Sequence, residues 1–98
     1  MNPTPAKIYK FRASDVFWKH FHALSPEQKE LVRAAWVRFK SNPFDPRLRP
    51  HKIQALSARA GETILSIEID RDLRVVFCVR GGMIYTIDIG THSIYGRG

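Results

Sequence analysis

From Thr63 to Ile89 the chain repeats with a period of two, broken twice by turn signals. Leu65, Ile67 and Ile69 alternate with Ser66, Glu68 and Asp70. Leu73, Val75, Phe77 and Val79 alternate with Arg74, Val76, Cys78 and Arg80, and Met83 to Ile89 forms a third run. Strand side chains alternate between faces, so this stretch folds as a three-stranded antiparallel meander. Asp70-Arg71-Asp72 is the first turn and Gly81-Gly82 the second. A meander must cover its apolar face, and the residues before it supply helices for that.

Ser14 is an N-cap candidate for a short helix with Val16, Phe17, Phe21 and Leu24 on its apolar side. Ser25-Pro26-Glu27-Gln28 combines an N-cap, a proline at the first helical position and a capping-box Gln. The helix it opens runs to about Lys40, with Leu31, Val32, Ala35, Trp36 and Phe39 as its apolar stripe, and Asn42-Pro43 ends it. Ala6 to Phe11 reads as a first strand. Residues 44–62, rich in proline and arginine, read as an ordered connection. The expected class is α+β in one domain over residues 1–98: two N-terminal helices on one face of a small antiparallel sheet, in the order β-α-α-β-β-β.

Register decides which side chains meet. A three-residue loop at 70–72 places Glu68 opposite Arg74. The second hairpin allows two registers. A two-residue turn at Gly81-Gly82 sets Thr86 and Asp88 beside Val75 and Phe77. A three-residue loop at 81–83 sets Tyr85, Ile87 and Ile89 there instead. The second is preferred because it buries apolar residues. It leaves a polar face of Ser66, Glu68, Arg74 and Asp88, with His92 just past the strand end.

Charge narrows the partner. Sixteen Lys and Arg against nine Asp and Glu give +7, and ten of the sixteen are Arg. This balance favours polyanions or an acidic protein partner. One cysteine, Cys78, excludes an internal disulfide and suits a reducing cytoplasm. Four scattered histidines (His20, His22, His51, His92) show no metal-ligand spacing, so no metal or other cofactor is expected.

Glu, Arg, His and Tyr on one face suit RNA cleavage by the 2′-hydroxyl. Glu68 is the candidate base, Arg74 the phosphate clamp and His92 the acid or base. Tyr95 is placed to stack on a base or donate to phosphate. Arg47, Arg49 and Lys52 are candidate RNA-backbone cations, or solvated charges where nothing binds. Each residue also has a bland role: Glu68–Arg74 as a cross-strand salt bridge, His92 bonded to a carbonyl, Tyr95 plugging the core edge.

"LSPEQKELVRAAWVRFKSNPFDP", "HKIQAL", "DLRVVFCV" and "IDIGTHSIY" together resemble the RelE/ParE superfamily of type II toxin–antitoxin toxins, most closely the YafQ-like mRNA interferases. The resemblance implies two helices against an antiparallel sheet with a concave site. It implies a cytoplasmic toxin acting as a metal-independent, ribosome-associated mRNA endoribonuclease that inhibits translation. Its partners would be an acidic cognate antitoxin and mRNA, without a membrane and without DNA binding of its own. The family pattern places site residues at His51, Asp72, Arg74, His92 and Tyr95. Ser66 and Glu68 depart from the Lys or His of many members, while Glu68 has a counterpart in YoeB-like relatives. The ParE branch implies an alternative, a non-nuclease inhibitor of DNA gyrase. A catalytically inactive binding protein of the same fold is the third reading.

Overall fold

The computed structural model describes residues 9–91. The meander is present as β3 (Leu65–Asp70), β4 (Leu73–Arg80) and β5 (Met83–Gly90). Two short strands extend it. β1 (Lys10–Ala13) runs parallel to β5 at one edge, and β2 (His51–Lys52) antiparallel to β3 at the other, in the order β1-β5-β4-β3-β2. The helices are α1 (Asp15–His22), α2 (Pro26–Ser41) and α3 (Gln54–Ala60), with a 3-10 turn at Pro46–Leu48. None is long and apolar enough to cross a membrane among the described residues.

The α+β class holds, with β2 and α3 added inside the expected connection. A two-residue strand and a seven-residue helix are too short for periodicity to expose them. The β1 expectation shifts: the strand runs to Ala13 because Lys10 to Ala13 pair with Met83 to Thr86, and residues 1–8 lie outside the described region.

The capping box forms as its spacing requires. The Gln28 amide donates to Ser25 Oγ at 3.1 Å and the Ser25 amide to Gln28 Oε1 at 3.0 Å. Val32, Ala35 and Phe39 of α2 are buried, and Trp36 packs against the core; Leu31 faces solvent, so the stripe is narrower than its composition suggests. Phe39 meets Phe77 edge to face, 5.0 Å between ring centroids, at the centre of a core that includes Ile67, Val75 and Ile84.

The second hairpin uses both registers. Near the turn, Arg80 pairs with Met83 and Phe77 with Thr86, as a two-residue turn demands. Beyond a β-bulge, Val76 pairs with Asp88, Val75 with Ile89 and Arg74 with Gly90. Thr86 therefore lies on the core side, fully buried, rather than beside Arg74. Its Oγ1 has no hydrogen-bond partner among the described residues. A buried unpaired hydroxyl is destabilising. Thr86→Val is expected to raise the unfolding free energy by about 1 kcal/mol, seen as a higher urea midpoint at unchanged m.

The opposite sheet face is polar at one end only. Ile64, Val76 and Cys78 form a second small core there, with Leu56 of α3, Tyr85 and Ile87 packed against it. Burial pushes the Cys78 thiol pKa up, which keeps it protonated and unreactive.

Candidate functional site

The polar end of that face is built where β3 and β4 meet at their turn. Glu68 lies opposite Arg74 as expected, but not through a three-residue loop: Asp70 pairs with Leu73 across a two-residue turn, and a bulge at Ile69 restores the pair, with Arg74 Nη2 3.3 Å from Glu68 Oε1. Arg74 is only 6% exposed, and its Nη1 donates to the Asp70 carbonyl at 2.5 Å. The guanidinium is thus fixed on one side by its own strand turn and open to the face through Glu68.

The 3-10 turn brings two more cations. Arg49 follows it in a left-handed conformation, φ 50° and ψ 55°, unusual for a residue with a Cβ. That backbone directs the side chain toward β3, where Arg49 Nε is 3.7 Å from Glu68 Oε2. Glu68 is therefore flanked by two guanidiniums. Arg47 is held by Asp45, which caps the turn: Arg47 Nη2 donates to Oδ2 at 2.7 Å, Nε to Oδ1 at 3.1 Å, and the Arg47 amide to Oδ1 at 2.9 Å. These bonds, the side-chain ones first, lower the Asp45 pKa to about 2. A carboxyl whose folded pKa lies below its ordinary 3.8 contributes stability above that value and loses it as pH falls from 3.8 through 2. The stability of Asp45→Asn is therefore expected to fall less steeply than that of wild type between pH 4 and pH 2, as measured by urea unfolding across that range.

Arg47, Arg49, Glu68, Ile69, Asp70, Arg71 and Arg74 line a cleft of about 420 Å³. Four guanidiniums, one of them paired with Asp45, against Glu68 and Asp70 leave the hollow positively biased, with Glu68 between Arg49 and Arg74. It offers phosphate binding beside a proton acceptor. A separate hollow of about 300 Å³ between α1 and α2 is lined by Phe17, Trp18, Phe21, Val32, Arg33 and Trp36. It is aromatic and holds no acid–base pair.

The expected site residues divide accordingly. Glu68, Arg74, Arg47 and Arg49 converge on the cleft. His51 lies opposite Ser66, hence on the same sheet face, with Nδ1 3.0 Å from the Arg49 carbonyl; it borders the cleft rather than lining it. Lys52 is not brought there: it lines a distinct hollow of about 260 Å³ with Gln54, Ser57, Ala58, Glu62 and Thr63. Asp72 sits exposed in the β3–β4 turn, outside the cleft lining, whereas its neighbour Arg71 lines it. Arg71 carries no readable face in the sequence, because a turn residue has none until the bulge between Glu68 and Asp70 assigns one. Asp88 does not join Arg74 but lies 2.6 Å from His20 Nδ1. His92 and Tyr95 lie outside the described residues. Among the described residues, no group of three His, Cys, Asp or Glu side chains converges to hold a metal.

No family model and no curated protein matches the sequence. Solved structures do match by fold. The archaeal RelE–RelB complex from Pyrococcus horikoshii OT3 superposes with a TM-score of 0.67 at 13% identity, covering 93% of this chain and 99% of that one. A YoeB/ParE toxin from Agrobacterium tumefaciens gives 0.63 at 16% identity, covering 85% and 98%. YafQ from E. coli gives 0.58 at 10% identity, covering 88% and 96%. The likeness spans the RelE, YoeB and YafQ types alike.

Proposed function

We infer that this chain, which has the RelE/ParE superfamily fold, is the toxin of a type II toxin–antitoxin pair and cleaves mRNA with the RNA's own 2′-hydroxyl as nucleophile. The observation that carries the reading is Glu68 set between Arg74 and Arg49 in a cleft with two further arginines.

In this reading the scissile phosphate enters the cleft on the arginines. The 2′-oxygen attacks phosphorus and passes its proton to Glu68. Protonation neutralises Glu68 while negative charge grows on the phosphorane. Arg74 and Arg49 lose their anionic partner as the phosphorane becomes one, so their interaction strengthens in the transition state. The 5′-oxygen then leaves with a proton from His92, since an imidazole side chain is suited to that transfer. The products are a 2′,3′-cyclic phosphate and a 5′-hydroxyl, and no co-reactant is consumed. Gly90, at the end of β5, is paired with Arg74. Tyr95 supplies a ring for a base, and Arg71 and Arg47 supply backbone contacts. A net charge of +7 favours both a polyanionic substrate on the ribosome and an acidic antitoxin.

A second reading rests on Arg74 itself. Its bonds to Glu68 and to the Asp70 carbonyl also suit a purely structural ion pair, which fits a non-nuclease toxin of the gyrase-inhibiting kind or an inactive relative. Inducible expression in a bacterium lacking the antitoxin separates these. Methionine incorporation is expected to stop before thymidine incorporation, and His92→Ala to abolish the arrest. Early loss of thymidine incorporation, unchanged by His92→Ala, points to the gyrase-type toxin. Absence of arrest from folded wild type points to the inactive relative.

A further inference from the structure

We propose that α1 clamps the β-bulge of β5 and so sets the register of the sheet's catalytic end, with His20 as the positioning residue. The consequence for cleavage rests on the ribonuclease reading; the clamp itself does not.

Up to Phe77 and Thr86, β4 and β5 pair in one register, and from Val76 and Asp88 they pair in the next, with Ile87 as the extra residue. Three contacts from α1 and its cap fall on this short stretch. The Ser14 amide donates to the Thr86 carbonyl at 2.9 Å, and Ser14 Oγ donates to the Ile87 carbonyl at 2.5 Å. His20 Nδ1 lies 2.6 Å from Asp88 Oδ1, which also accepts the Ile89 amide at 2.7 Å. A carboxylate only accepts, so Nδ1 carries the proton in this contact.

The alternative register shows what the clamp accomplishes. Without the bulge, Val75 would face Asp88 and Arg74 would face Ile89. That would place a carboxylate against fully buried Val75 and an isoleucine beside the cleft. Asp88 opposes this slip twice, through its charge and through its bond to His20. The bulge instead pairs Arg74 with Gly90. β5 therefore ends, at Gly90, beside the arginine assigned to the phosphate. A one-residue slip would displace it by roughly 3 Å and exchange the sheet faces.

The test is NMR of the labelled protein, run beside RNA-cleavage kinetics on the same samples. Wild type is expected to show cross-strand proton contacts between Arg74 and Gly90. Asp88→Val removes both the charge and the tie, and is expected to show Arg74–Ile89 contacts instead. Its kcat should fall by about 10²-fold, as for a misplaced catalytic group, with KM changed far less. His20→Ala is expected to weaken the Arg74–Gly90 contacts, and His20→Asn, whose amide restores a donor near the Nδ1 position, to recover them. Retention of Arg74–Gly90 contacts alone in Asp88→Val, or equal spectra for His20→Ala and His20→Asn, overturns the clamp. If Asp88→Val does not fold, the two His20 variants decide. Failure of wild type to cleave RNA overturns the ribonuclease reading, and the NMR contacts still decide the clamp.

Discussion

Arg74→Ala is expected to lower RNA cleavage by about 10²–10³-fold, the effect of removing one preorganised donor from a developing oxyanion. The residue is buried, bonded to Glu68 and fixed by the Asp70 carbonyl, so it cannot be replaced by a neighbour swinging in. The same change leaves Glu68 with Arg49 alone and removes charge-assisted bonds, costing about 2 kcal/mol of stability. Loss of activity through unfolding is separated from loss of chemistry by Arg74→Lys. Lysine keeps the charge but not the planar fork that reaches Glu68 and Asp70 together. Arg74→Lys is expected to fold, as judged by circular dichroism, and still to lose most cleavage. Near-normal cleavage by folded Arg74→Lys would reduce Arg74 to a structural charge.

The largest expected effect on stability falls on Phe77. It is fully buried, in edge contact with Phe39 at 5.0 Å, and near Phe44 at 6.4 Å between ring centroids. Phe77→Ala leaves a cavity bounded by helix and sheet that neither can close. The expected loss is about 3–5 kcal/mol, a large share of the roughly 5–15 kcal/mol that holds a domain of this kind. Urea unfolding reads it directly. Val37→Ala, at a position 71% exposed, is the contrast and should change stability by less than about 0.5 kcal/mol. A small loss at Phe77 would mean that the core is not centred on the α2–β4 contact.

How far these features were legible depends on the length of the pattern carrying each. The meander, the capping box at Ser25 and the Glu68–Arg74 pairing rest on signals several residues long, and all are present. α3 rests on seven residues with no side-chain cap at Ile53. Its readable signal was the stop, Gly61, at φ 70° in the left-handed region that glycine favours. The second hairpin shows a different limit. Turn chemistry at Gly81-Gly82 argued for one register and apolar burial for the other. Each governs one part of the hairpin, because a bulge lets the strand change register midway. Sequence alternation assigns every residue to one face or the other and has no symbol for that step. Alternation therefore groups Thr86 and Asp88 with Arg74: Thr86 is instead buried opposite Phe77, while Asp88 keeps its expected register opposite Val76 and bonds His20 rather than entering the cleft.

At the site, the four arginines were visible as charge but not as a cleft. Arg47 and Arg49 owe their placement to the 3-10 turn, to Asp45 and to a left-handed backbone at Arg49. Lys52 has the same charge one residue after His51 and faces another hollow, because adjacent strand residues point to opposite sides. Charge counts cannot draw that distinction; strand pairing does.

The most direct test is to add purified protein to translating ribosomes carrying a defined mRNA and to map the new RNA ends chemically. Fragments ending in a 2′,3′-cyclic phosphate, matched by 5′-hydroxyl ends and lost with Glu68→Gln, are the predicted result. Intact mRNA with uninterrupted translation, from protein that arrests growth by stopping DNA synthesis, would contradict the account.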